Sequence, residues 1–157
     1  MNFTRSTLLV LAALAPLAYA GSASKVEISR TAAGDGTVAP AQNFTGTVRL
    51  KSQFRREAPS RLSGALVTFE PGARTNWHTH PIGQTLIVTD GVGHVQNWGA
   101  KRETIREGDI VWIPPGVKHW HGASATSAMS HVAFVETLDG KTVDWLEPVS
   151  SEQYSAN

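Results

Sequence analysis

Six histidines and no cysteine occur in a chain of 157 residues, so imidazoles and carboxylates are the main groups left for chemistry at neutral pH. The histidines are grouped. His78 and His80 are one residue apart, so are His119 and His121, and His131 follows in the next β-rich run. On a strand, residues i and i+2 project from one face, so each pair aims both imidazoles the same way. Gln84 lies four residues beyond His80, where a turn or strand end brings it back beside them. His131 is in phase with Met129, Ala133 and Val135; an inward phase there puts five of the six histidines on one side of a sheet. Burying several imidazoles without partners costs several kcal/mol, because each has two polar nitrogens to satisfy. A shared metal ion relieves that cost by taking a lone pair from each ligand. Imidazole and amide donors suit Mn2+, Fe2+, Ni2+, Cu2+ or Zn2+, so residue type alone does not choose among them. The plainer reading of a histidine, a residue on the strand surface, is the one that fits His94, which belongs to neither pair.

The rest of the composition narrows the function. Without cysteine there are no disulfides, no iron–sulfur clusters, no thiolate nucleophile and no Cys-type zinc site. Lys and Arg number 14 against 13 Asp and Glu, a formal charge of +1 that gives no electrostatic reason for a nucleic-acid partner or a polybasic membrane contact. Charged residues make up 17% of the chain, too few for a disordered, highly charged protein, and the length suits one domain with a real core. The expected partner is a small-molecule substrate.

Residues 1–20 read as a secretory signal: Arg5 gives a positive start, Leu8 to Leu14 an apolar run, and Ala18-Tyr19-Ala20 a small-x-small cleavage pattern. The mature chain is therefore expected in a periplasm or outside the cell. Residues 21–40 are rich in Gly, Ser, Ala and Thr, with a strand-like stretch at Lys25–Ser29. From 41 to 150 short β-rich runs recur: Thr45–Leu50, Leu62–Phe69, Thr85–Thr89, His94–Trp98, Ile110–Ile113, His119–Ala123 and Ser130–Thr137. Turn signals such as Glu70-Pro71-Gly72, Asp90-Gly91 and Glu107-Gly108-Asp109 separate them. Many short strands near ten-residue spacing, with no long 3.6-residue period, indicate an all-β sandwich or barrel in a single domain. In the tail, 151–157, only Ser151–Tyr154 suits a helical turn.

With these residues in place, the sequence resembles the cupin family. One cupin motif is matched by Gly72, His78, His80, Gln84 and Gly91, with Gln where Glu is usual; the other by Gly108, Pro114, Gly116 and His119, with Ala123 where Asn is usual. The glycines suit turn angles at strand ends, and Pro114 suits a place needing no ladder donor. The resemblance implies a small β-barrel or jelly-roll with a metal held in its mouth by His78, His80, Gln84 and His119. It narrows further across Phe44–Val48, Val67–Thr75, Trp77–Pro81, Gly83–Thr89, Lys118–Ala123 and Val143–Trp145, which look like the bacterial cupin hydroxynitrile lyases. That similarity implies Mn2+, an aromatic cyanohydrin cleaved to aldehyde and cyanide, and a homo-oligomer, dimer or tetramer.

On this reading Gln84 has a consequence. Three neutral imidazoles and a neutral amide leave a divalent ion its full charge, which favours Lewis-acid activation of a hydroxyl oxygen over redox cycling. His131, outside the ligand set, is the expected proton shuttle or cyanide partner, and His121 the second candidate. Ala65, Val67, Phe69, Leu86 and Val135 either shape a pocket for an aryl group or are plain barrel core. Trp77, Trp98, Trp112, Trp120 and Trp145 are expected in the core or at an interface. Two other functions use the same constellation: a periplasmic cupin dioxygenase, and a cupin that binds a metal or small ligand without turnover.

Overall fold

The computed structural model describes residues 25–30, 34 and 36–156. The expected signal at 1–20 lies outside the described residues. In chain order the strands are β1 (Thr37–Val38), β2 (Phe44–Thr45), β3 (Val48–Arg55), β4 (Leu62–Phe69), β5 (Arg74–Thr75), β6 (His78–Thr79), β7 (Gln84–Asn97), β8 (Glu103–Arg106), β9 (Ile110–Ile113), β10 (His119–Ala123), β11 (Met129–Glu136) and β12 (Asp144–Trp145), followed by helix α1 (Ser151–Ser155). They form one curled antiparallel sheet in the path β1-β3-β4-β11-β7-β10-β5-β2. β8 and β9 flank β7, and β6 lies between β10 and β12.

The long strand β7 makes the curl. Its first half pairs with β11 and β9 and its second half with β10 and β8, so one strand runs from one wall of the cup into the other. Asp90-Gly91 is therefore no turn: the chain bends there and stays in the sheet. Gly91 has φ +77°, and a Cβ on it would lie 2.0 Å from the Ala128 carbonyl oxygen. At Gly93 a Cβ would meet Met129 Sδ at 2.2 Å. Only residues without side chains let β10 and β11 close on β7 this tightly. The register of β7 against β11 slips between Ser130 and His131, a bulge that increases the local twist.

Alternation along the walls decides what faces inward. Phe69, Val67 and Ala65 on β4 stand opposite Met129, His131 and Ala133 on β11. Cross-strand partners share a face, so His131 sits in an apolar wall. Beneath it, Val48, Phe69, Val88, Met129 and their neighbours form a dry core. Trp77, Trp120 and Val149 form a second cluster, closed by Tyr154. The Ser150 side chain caps α1 in a capping box with Gln153, and Gln153 also accepts from Trp77 Nε1. Arg74, buried in β5, donates to the Val149 carbonyl, and Tyr154 Oη donates to that of Ala123, so the tail is fastened to the strands that carry the site.

Two expectations change. Lys25–Ser29 is not a strand: Val26 is 91% and Ile28 69% exposed, and none of the strands among the described residues pairs with it. The strand of the 21–40 segment is β1, paired with β3. The run expected at Thr45–Leu50 is split into β2 and β3 by Gly46 at φ +78°.

Gly91→Ala should destabilise the fold by about 3 kcal/mol, from left-handed strain plus the carbonyl clash. Gly99→Ala shares the φ but meets nothing within 4 Å, and should cost about 1 kcal/mol. Chemical denaturation of both variants measures this difference, and equal midpoints would show that β7 does not bend at Gly91.

Candidate metal centre

Strand pairing brings the ligand candidates together. β6 lies against β10 with His78 opposite His119. His80 follows β6, and the chain turns back so that Gln84 opens β7. The His78 and His119 ring centres are 4.1 Å apart and those of His78 and His80 5.0 Å. One nitrogen from each of His78, His80 and His119 lies within 4.8 Å of the others, and all three residues are buried. Gln84 Oε1 is 3.1 Å from His119 Nε2.

Backbone carbonyls fix the tautomers. His78 Nδ1–H donates to the Asn76 oxygen at 3.0 Å, His119 Nδ1–H to Val117 at 2.9 Å and His80 Nδ1–H to Thr142 at 2.6 Å. With Nδ1 protonated, each Nε2 keeps its lone pair for the cluster, the arrangement in which imidazole binds a metal. His80 Nε2 is buried with no partner. His119 Nε2 faces Gln84 Oε1, one acceptor against another, which a cation shared between them resolves. The donor set therefore fits a divalent ion.

Burial keeps these rings neutral. It pushes the His119 pKa down to about 4 and lowers that of His80. His78 lies well below the ordinary value, through burial first and then the neighbouring His119 and His80. Burial also drives His121 well below normal and brings His131 to about 4.

His121 and His131 form a separate pair. His121 lies on β10 with its ring 5.4 Å from His78, and its Nδ1 is 3.2 Å from His131 Nε2. The outer nitrogens, His121 Nε2 and His131 Nδ1, are buried and unpartnered. The edge of His121 meets the Phe69 ring at 5.7 Å.

Both clusters open on a cavity of about 560 Å³. Ala65, Val67, Phe69 and Val135 line it, as do His78, His80, Gln84, His121 and His131. Leu86 does not: its side chain is fully buried in the core, the plainer of its two expected roles. His94 stands half-buried on β7, within 3.5 Å of Thr104 Oγ1 and away from the cluster. Trp77 and Trp120 are core, while Trp98 and Trp112 are more than half exposed. Trp145 is at the site, lining the cavity 4.8 Å from His78 and 5.4 Å from Phe44. It and the Thr142 carbonyl are among the site elements that the residue pattern left unmarked, as are the lining residues Phe44, Leu50, Phe54 and Ala133.

The cupin domain family matches residues 65–135. An (R)-mandelonitrile lyase of Granulicella tundricola is 56% identical over 129 residues, covering 82% of this chain and 98% of that protein. A cupin-like protein of Thermotoga maritima superposes with a TM-score of 0.72 at 36% identity, over 77% of this chain and 92% of the other. The polyketide cyclase RemF of Streptomyces resistomycificus shares the fold at a TM-score of 0.57 and 15% identity, over 82% and 91% of the two chains.

The buried imidazoles make the metal-free protein acid-sensitive. Unfolded, they bind protons near 6.5; folded, His119 and His131 bind them only near 4. Between those values the unfolded state holds more protons, so the stability present above about pH 6.5 is lost as pH falls toward 4. Thermal unfolding of chelator-treated protein should show this decline, and a melting temperature rising from pH 7 to 4.5 would contradict it.

Proposed function

We infer that this chain, which belongs to the cupin family, is a metal-dependent hydroxynitrile lyase that breaks or forms the C–CN bond of aromatic cyanohydrins. One observation carries the reading: a three-imidazole cluster, through His78 and His80, and a separate neutral histidine pair line one apolar cavity. The high identity to a mandelonitrile lyase supports it, as does a cavity with room for an aryl group.

His78, His80, His119 and Gln84 would hold the divalent ion, read here as Mn2+, which when bound supplies Lewis acidity toward the substrate hydroxyl. The remaining work is proton handling, and the histidine pair suits it. In one tautomer His131 Nδ1 carries a lone pair, His131 Nε2–H donates to His121 Nδ1, and His121 Nε2 carries the other proton, with His131 Nδ1 and His121 Nε2 buried and unpartnered. The hydroxyl proton passes to His131 Nδ1 and the O–H electron pair becomes the carbonyl π bond. The C–CN electrons leave with cyanide. A proton shift across the 3.2 Å contact lets His121 Nε2 deliver its proton to cyanide, giving aldehyde and hydrogen cyanide. The pair ends neutral, in its other tautomer, which suits a site where burial penalises charge. Ala65, Val67, Phe69 and Val135 exclude water and seat the aryl ring.

We also propose that the mature chain works in a periplasm or outside the cell, on the strength of the leader-like residues 1–20. Self-association as a dimer or tetramer is supported by the β9 edge strand, where Ile110 is 72% and Trp112 58% exposed.

Purified protein should release benzaldehyde and cyanide from mandelonitrile without consuming dioxygen. His131→Ala should lower kcat by about 10²- to 10⁴-fold with metal content unchanged; turnover at the parental rate would remove the proton role. His78→Ala should lose metal and activity together, and stoichiometric metal in that variant would refute the ligand assignment.

A further inference from the structure

The three ligating histidines are not oriented alike. His78 and His119 each donate Nδ1–H to a carbonyl two residues upstream, Asn76 and Val117, so their own strands fix them. His80 has no such local partner. Its Nδ1–H goes to the Thr142 oxygen, 62 residues later in the chain. The same segment reaches His78 by a second route. β12 pairs with β6 with Trp145 opposite His78, and the two ring planes are inclined by only 38°. Thr142, Val143 and Trp145 also line the cavity.

We propose that Thr142–Trp145 is a positioning strap for the metal centre. It holds His80 in the ligating tautomer through a backbone carbonyl and fixes the His78 ring through Trp145. Metal affinity is thereby set from a segment that contributes no ligand atom. The strap is anchored at both ends. Before it, Thr137 N–H donates to Arg61 and a tight hairpin closes with two 2.9 Å bonds between Leu138 and Lys141, through Asp139 at φ +49° and Gly140 at φ +83°. After it, Leu146 N–H donates to Trp77 and Trp77 N–H to Glu147. Partners that orient a ligating histidine typically change metal affinity by about 10- to 100-fold when removed.

The inference rests on the metal site and not on lyase turnover, so an inactive protein that binds metal leaves it standing. The test uses Zn2+ binding to the full chain by competition with a chromogenic chelator, beside histidine 15N NMR of the Zn2+-loaded protein. Trp145→Ala should weaken Zn2+ binding about 10-fold or more, and Trp145→Phe should restore most of it. Gly140→Val touches no site residue and has open space around it, but it strains the hairpin that presents Thr142. It should weaken binding and perturb the His80 Nδ1–H resonance while that of His119, which the strap does not touch, stays in place. Parental affinity in both Trp145→Ala and Gly140→Val would overturn the proposal. So would equal perturbation of His80 and His119, which marks general loosening and not an effect through the strap.

Discussion

Five buried imidazoles share one cup, and none of them is easily charged there. Burial lowers the pKa of every one, and the neighbouring rings add to the effect at His78, His119 and His121. In such a place the proton on each ring must have a definite address. Three Nδ1–H groups are assigned to main-chain carbonyls, which turns three Nε2 lone pairs toward one another. The remaining two rings spend one nitrogen each on a mutual bond and leave the other unpartnered. The cation site proposed on one side of the cavity and the proton transfer proposed on the other both rest on that assignment.

The sheet supplies what the assignment needs. β7 crosses between the two walls, so that the strand opened by Gln84 is the hydrogen-bonded neighbour of both strands bearing His119, His121 and His131. Gly91 and Gly93 allow that closeness, and no side chain fits in either place. Below the histidines, Phe69, Met129, Val88 and Val48 keep the floor dry. The tail fastens the outer side through Arg74, Trp77 and Tyr154. The apolar floor and the polar cluster work together: the floor gives the imidazoles their low proton affinity, and the facing lone pairs of the cluster fit a shared cation.

What could be read from residues alone was whatever depends on local spacing. The i, i+2 histidine pairs and the phase of His131 predict five inward imidazoles, and β4, β9 and β10 occupy the ranges the alternation suggests. Gln84, by contrast, reaches the histidines only through the return of the chain into β7. Features set by distant pairing were not legible. β5, β6 and β12 are two residues long, too short to show a period, and exist because neighbouring strands hold them. Trp145 and the Thr142 carbonyl belong to that class, which is why Trp145 read as packing. Asp90-Gly91 read as a turn because the same dipeptide suits either a hairpin or a bend within a strand; the crowding by Ala128 decides between them. Leu86 shows the converse case, where alternation puts a residue on the inner face and core packing removes it from the cavity.

The central claim is that one divalent ion, held by His78, His80, His119 and Gln84, is required for cleavage of the cyanohydrin. Stepwise addition of Mn2+ to chelator-stripped protein, with bound metal and benzaldehyde release followed in the same samples, addresses it most directly. The account predicts no release at zero occupancy and a linear rise that ends at one ion per chain. Full release from protein carrying no transition metal would contradict it.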